Sequence, residues 1–284
     1  AGIHISEGDL EYELPSIEGS EFDGLYKDFD TMQTKLRETT EERNRADALT
    51  KEVIGNISHD LKTPLTAIKG YAEGIMDGVA ATPERMERYV KTIHSKAVDM
   101  AGLVDELSYF TKIYQKVEDF RFAPVKASYF FAECISGMSL DLETRNIQLL
   151  YQCDVGEDVE IVIDEEKIKR VVANIVGNAV KYIQREQGMI LVNVEDQGPF
   201  IQVMIRDNGK GIGKEELPFI FERFYRTDSS RNSRTGGSGL GLAIAKKIMD
   251  EHGGRIWAES ELGKGTEVYF TLKKETEQKE EHDE

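Results

Sequence analysis

A histidine, a pair of asparagines and two runs of glycine are the residues of this 284-residue chain whose types and spacing could do chemistry. The first lies in Ser58-His59-Asp60-Leu61-Lys62-Thr63-Pro64, among the apolar residues Ile57, Leu61, Leu65 and Ile68 at helical spacing. At about 100° per residue, His59 falls roughly 200° from Ile57 and from Leu61, so it is expected to face solvent. Asp60 can reach the imidazole, hold its tautomer and take up its proton, and Thr63 stands one turn further along the same face. Pro64 removes the amide that would bond the carbonyl of Asp60, which loosens the helix there. An exposed imidazole beside an acid suits a nucleophile that must meet two partners. Taken alone, the same residues also fit an ordinary surface histidine.

Asn174 and Asn178 share one helical face. Their carboxamide oxygens are hard ligands that suit Mg²⁺ alongside phosphates, and Lys181 is near enough to contact a phosphate. A polar helix surface would look the same. Asp207-Asn208-Gly209-Lys210-Gly211-Ile212-Gly213 follows a strand-like stretch. Its alternate glycines allow close backbone approach to a flat ligand, and Asp207 could accept from an exocyclic amine such as that of adenine. A plain glycine turn is the alternative. Thr235-Gly236-Gly237-Ser238-Gly239-Leu240-Gly241-Leu242 opens a further helix, where backbone amides make an anion site. The polar stretch 227–235 before it reads as a lid, and Arg226, Arg231 and Arg234 could contact phosphate. Gly263-Lys264-Gly265-Thr266 lies between the last two strands, where it also fits a simple hairpin turn.

The elements that must position these residues follow from periodicity. Residues 20–78 read as one long helix, with an apolar seam Phe22, Leu25, Phe29, Met32 and Leu36 that fades and resumes in shifted phase at Val53. Asp77-Gly78 ends it, and Thr82-Pro83 supplies an N-cap and first-turn proline for a second helix to about Tyr114. The second seam is Met86, Val90, Ile93, Ala97, Met100, Val104, Leu107 and Thr111. One such hairpin cannot close a core, so two are expected to form a four-helix bundle as a homodimer. Packing against the rest of the same chain is the alternative. Beyond residue 116 the pattern is mixed: strands at 119–124, 147–153, 159–163, 189–197, 200–206, 254–260 and 266–273, helices at 126–144, 164–184, 214–221 and 239–252. The expected fold class is an all-α helical-hairpin dimerisation domain plus a two-layer α/β sandwich.

With 36 Lys and Arg against 53 Asp and Glu, the net charge is -17, which argues against nucleic acid as a partner. Cys134 and Cys153 lie far apart with no CxxC, which argues against a disulfide framework or zinc site and makes a reducing cytoplasm the default. No apolar run approaches the roughly 18 residues of a membrane span. The chain does not begin with Met, so it is expected to start inside a longer protein.

In this order, the motifs resemble those of the sensor histidine kinases of two-component signalling. The phosphoacceptor box is similar over His59 to Pro64, the asparagine box over Asn174 to Tyr182, and the first glycine box over Asp207 to Gly213. Phe221-Glu222-Arg223-Phe224-Tyr225-Arg226 resembles the phenylalanine box, and Gly237-Ser238-Gly239-Leu240-Gly241 the second glycine box. The start resembles the second half of a HAMP linker at Glu21, Leu25, Phe29 and Met32, with Ser20 and Asp23 departing from the usual Asp and Gly. The domains so implied are 1–44 linker and coiled coil, 45–116 dimerisation and phosphotransfer hairpin, 117–273 ATP-binding domain, and 274–284 a disordered acidic tail.

The resemblance implies autophosphorylation of His59 from Mg-ATP and transfer to an aspartate of a response regulator receiver domain. Asp60 would orient the imidazole, and Thr63 would direct water in the reverse phosphatase reaction. Asp207 would read adenine with Thr266 in support, and Tyr182 would stack near the base. Asn178, with Asn174 nearby, would hold Mg²⁺, and Lys181 and Arg226 would meet phosphate. Gly209, Gly211, Ile212 and Gly213 would line the base, and Gly237, Ser238, Gly239, Leu240 and Gly241 the triphosphate. Segments upstream of the chain would anchor the protein at the cytoplasmic face of a membrane. Two rivals are an ATPase of the same fold and a dimeric scaffold, both without phosphohistidine chemistry.

Overall fold

The computed structural model describes residues 23–115, 117, 119–183, 186–226 and 238–275, with the side chains of 23, 25, 26, 41–52, 54 and 59 outside the description. The linker positions Ser20 and Glu21, the side chain of Leu25, all of the stretch 227–235 and all but two residues of the acidic tail lie outside these residues. Two compact units divide the chain at Thr63 and Pro64.

The first helix, α1 (Asp23–Met76), runs unbroken through Pro64. Its expected stripe is displaced at one point. Leu65 is 53% exposed, whereas Pro64 is buried and Tyr71 meets Tyr89 edge-to-face at 4.9 Å. Gly74 makes that approach possible, because a Cβ there would stand 2.9 Å from the Tyr89 ring. Helix α2 (Pro83–Tyr114) begins as expected: the Thr82 hydroxyl accepts from the Arg85 amide at 3.3 Å, and Pro83 occupies the first turn. Along the expected seam, Val90 is 52% and Val104 45% exposed within one chain. The most buried residues of α2 are Phe110 and Ile113, which lie off that seam.

The remainder is a two-layer sandwich. Strands β1 (Ala123–Lys126) and β3 (Glu160–Ile163) form a small antiparallel pair. Strands β2 (Ile147–Asp154), β4 (Gly188–Gln197), β5 (Phe200–Asp207), β7 (Gly265–Lys273) and β6 (Arg255–Glu261) form the main sheet in that spatial order. Only β2 and β4 are parallel. Alternate residues Ile190, Val192, Val194, Ile201, Val203, Ile205, Phe270 and Leu272 are buried, which is the period-two signature of a sheet covered on one face. Helices α3 (Ala127–Thr144), α4 (Glu165–Tyr182) and α5 (Gly241–Glu251) supply the other layer through Phe131, Ile168, Val172, Ile244 and Ile248. Asp164 caps α4 by accepting from the Lys167 amide.

Three expectations are corrected. Residues 119–122 are not a strand, and β1 starts at Ala123. Side chains hold that segment instead: the Arg121 amide donates to Asp164 Oδ2 at 2.9 Å, and Phe120 and Phe122 pack on His252. Residues 214–221 contain only a 3₁₀ turn, Leu217–Phe219, because Pro218 cannot donate to a longer ladder. Lys274 and Glu275, assigned by sequence to the tail, are held by backbone bonds to Pro199 and Glu160.

His252 sits at a junction of this fold. Its Nε2 accepts from the Asp164 amide at 3.1 Å, so Nδ1 carries the proton donated to the Ile248 carbonyl at 2.8 Å. Burial holds its pKa below the usual 6.5, against the pull of that carbonyl and of Asp164 and Glu251. The unfolded chain therefore binds a proton that the fold refuses, starting near pH 6.5 and continuing downward. Stability should be level above that pH and fall as pH drops through the window. Urea unfolding followed by the fluorescence of Trp257, the sole Trp, should show this fall between about pH 7 and 5.5. His252→Gln should flatten it, and parallel pH profiles would refute the assignment.

Candidate nucleotide-binding site

The chain end of β5 delivers Asp207, only 8% exposed. Its Oδ1 accepts from the Gly209 amide at 2.7 Å and the Thr266 amide at 3.3 Å. Oδ2 is left as the acceptor for a ligand. Burial raises the carboxyl above its usual range, while the two amides favour the ionised form. The backbone can close around this acid only without side chains. A Cβ on Gly209 would lie 2.8 Å from Asp207 Oδ1, one on Gly211 2.1 Å from the Glu261 carbonyl, and one on Gly265 1.9 Å from the Asp207 carbonyl. Gly211 and Gly265 also have φ of 71° and 117°.

A cavity of about 350 Å³ opens above Asp207, within the range of small-molecule sites. Asn174, Asn178, Lys181 and Tyr182 line it from α4. Asp207, Gly211, Ile212 and Thr266 line it from the sheet side, and Arg226, Ser238, Gly239 and Gly241 from the segments flanking the lid. The ammonium of Lys181 lies 5.3 Å and that of Lys210 4.7 Å from the Tyr182 ring centroid. Asn174 Nδ2 donates to the Gly241 carbonyl at 2.8 Å, tying α4 to the start of α5 and leaving its oxygen as a donor atom for a cation. The Asn178 carboxamide shares that wall. Two amide oxygens on one wall of such a cavity are a donor set that fits Mg²⁺.

Some expected residues support the site without lining it. Gly209 acts through its amide, and Gly213 through its carbonyl, which accepts from Glu216 and Leu217. Leu240 is fully buried in the core, with its amide bonded to Ser238 Oγ at 3.0 Å. Gly237, Arg231 and Arg234 lie outside the described residues. The backbone at position 59 is helical, but its imidazole is outside the description, so the expected solvent-facing orientation lies there too. Asp60 is half-buried and Thr63 exposed.

Ser260 and Glu106 escaped the sequence reading, as did the backbone geometry of Gly265 and Phe224. Ser260 accepts from the Ile212 amide at 2.8 Å, bonds the Gly265 carbonyl and meets the Thr266 hydroxyl, locking the first glycine run to β7. Gly265 is a close-approach glycine, whereas the turn itself belongs to Gly263. Glu106, from α2, lines the cavity and accepts from the Ser238 hydroxyl. Phe224 has φ of 57°, a rare conformation for a bulky residue, and donates its amide to the Gly239 carbonyl. The only signal for the α2 residues was the apolar set Phe110, Ile113 and Tyr114, standing off the seam.

Comparison with known proteins agrees with this geometry. Residues 50–115 match the His Kinase A (phospho-acceptor) domain, and residues 163–276 the histidine kinase-, DNA gyrase B-, and HSP90-like ATPase family. The chain is 33% identical to the sensor histidine kinase WalK of Bacillus subtilis, over 86% of this chain and 40% of that protein. It is 35% identical to the sensor histidine kinase YkoH of the same organism, over 92% of this chain and 55% of that one. The chain thus spans about half the length of these curated relatives. It also resembles histidine kinase ThkA, solved in complex with the response regulator protein TrrA, with TM-score 0.64 and 26% identity over 85% of this chain and 67% of that one. With the two domain matches in sequence and these relatives, the chain belongs to the sensor histidine kinases, joining a phosphoacceptor domain to an ATP-binding domain.

Proposed function

We propose that the chain is the kinase core of a two-component sensor, in which ATP bound above Asp207 phosphorylates His59. The observation that carries this reading is the buried Asp207 carboxylate, oriented by two backbone amides at the floor of a nucleotide-sized cavity walled by Asn174 and Asn178. The free oxygen of Asp207 would accept the adenine amine, and Tyr182 would stack near the base. Lys181 and Arg226 would neutralise phosphate charge. Asn178, with Asn174, would hold Mg²⁺, whose charge would offset that developing on the transferred group.

A His59 nitrogen would attack the γ-phosphorus, forming a P–N bond as the bond to ADP breaks. Asp60 would orient the imidazole and take up its proton. The phosphoryl group would then pass to an aspartate of a response regulator, a partner supported by the ThkA–TrrA complex. Thr63 would direct water for regulator dephosphorylation. Homodimerisation is supported by the uncovered seam at Leu65, Val90 and Val104. A HAMP-like linker and a membrane anchor upstream rest on the spacing of Leu25, Phe29 and Met32. Among the described residues no helix is long and apolar enough to cross a membrane.

Three substitutions test these assignments. His59→Gln should abolish acid-labile, base-stable labelling from γ-labelled ATP, and retained label would move the acceptor elsewhere, with exposed His94 the first alternative. Asn178→Ala should weaken Mg-ATP by about tenfold or more, or ~1.4 kcal/mol, in calorimetry while sparing adenosine. Unchanged Mg-ATP affinity would remove Asn178 from the metal site. Thr63→Ala should keep autophosphorylation near wild type yet slow regulator dephosphorylation severalfold, and equal phosphatase rates in an active wild type would exclude that role.

A further inference from the structure

The last turns of α2 present a face that serves neither the hairpin nor its seam. Phe110, 3% exposed, lies 6.2 Å from the ring of Phe224. The Arg223 guanidinium sits 4.5 Å from the Tyr114 ring centroid, and Arg170 of α4 sits 3.5 Å from that of Tyr109. Docked in this way, α2 brings the Glu106 carboxylate into the wall of the nucleotide cavity. There the Ser238 hydroxyl donates to it, while Ser238 Oγ accepts from the Leu240 amide at the entrance to α5. Ser238 is itself 4% exposed.

This is the end of the cavity where a glycine-rich helix start favours an anion. The other charged groups lining the cavity are Lys181, Lys210 and Arg226, all cationic, and Asp207 at the opposite, base-reading end. A carboxylate beside the phosphate position repels a polyphosphate and holds the serine hydroxyl that the phosphate would use. Resting on the nucleotide reading above, we propose that Glu106 is an intramolecular stand-in for a nucleotide phosphate, which latches the end of α2 to the second glycine run and is displaced when a polyphosphate binds.

Coupling of this kind is reciprocal. Whatever factor the latch takes from polyphosphate affinity, bound polyphosphate takes from the docking of α2. Base recognition at Asp207 is outside the competition, so the latch discriminates nucleotides by their phosphates.

The test is Glu106→Gln in the whole chain, with ADP and adenosine binding measured by calorimetry with and without Mg²⁺. The amide keeps the shape and loses the charge, and Trp257 fluorescence confirms the fold. ADP should bind about three- to tenfold more tightly, since the charge that repels phosphate is removed while part of the bond to Ser238 survives. Adenosine affinity should change by less than about twofold. Unchanged ADP affinity, or an equal gain for adenosine, would overturn the latch. Weaker ADP binding seen only with Mg²⁺ would also overturn it, and would make Glu106 a metal ligand. A wild-type chain that binds neither adenosine nor ADP would sink the nucleotide reading itself, and the latch with it. Phe110→Ala gives an independent arm: loosening the docked helix end should also favour ADP over adenosine, and failure to do so would count against displacement.

Discussion

A carboxylate taken out of water at the end of a strand must be given hydrogen-bond donors, and much of the site's local structure follows from supplying them to Asp207. An unsatisfied buried polar group costs about 1–3 kcal/mol, and a charged one more. The donors come from the backbone, the Gly209 amide two residues on and the Thr266 amide from a neighbouring strand. Both approaches are close enough to exclude side chains at Gly209 and Gly265. Ser260 then fixes the register between the glycine run and β7. The result is an acceptor whose direction is set before any ligand arrives, which is what recognition of one exocyclic amine requires.

The end of the cavity formed by Ser238, Gly239 and Gly241 is organised on the opposite principle. Its walls come from the start of α5, the stretch before the lid and the end of α2, joined by side chains rather than by a shared ladder. Phe224 is held in a left-handed backbone conformation of the kind that costs of order 1–3 kcal/mol. Its amide bond to Gly239 and its ring contact with Phe110 are the visible compensation. Strain there couples the phenylalanine-box segment to both the second glycine run and α2.

The difference explains what the sequence made legible. Strands β4 and β5 were readable because alternation and a Gln-Gly-Pro turn are local signals, and the helix start at Thr82 because a cap is local too. The asparagine pair and the glycine runs that contribute to the cavity were readable for the same reason: each is a short run. Residues 119–122 misread as a strand because their hydrophobicity serves His252, over a hundred residues away in sequence. Ser260 and Glu106 were illegible because their partners lie 48 and 132 residues off. No periodicity carries such a pairing. Gly265 looked like a turn because sequence does not distinguish a glycine needed for φ from one needed for room.

Helix α2 carries two faces whose angular relation matters. The seam through Val104 and Thr111 and the docking position Phe110 are about 100° apart, since neighbouring residues differ by that angle. The exposed seam and the docked ATP-binding domain therefore occupy the same helix without sharing side chains. Undocking the face of Glu106, Phe110 and Tyr114 would leave Val90 and Val104 untouched, so the attachment of the ATP-binding domain can change without disturbing that seam. If one face served both purposes, every undocking would disturb Val90 and Val104 as well.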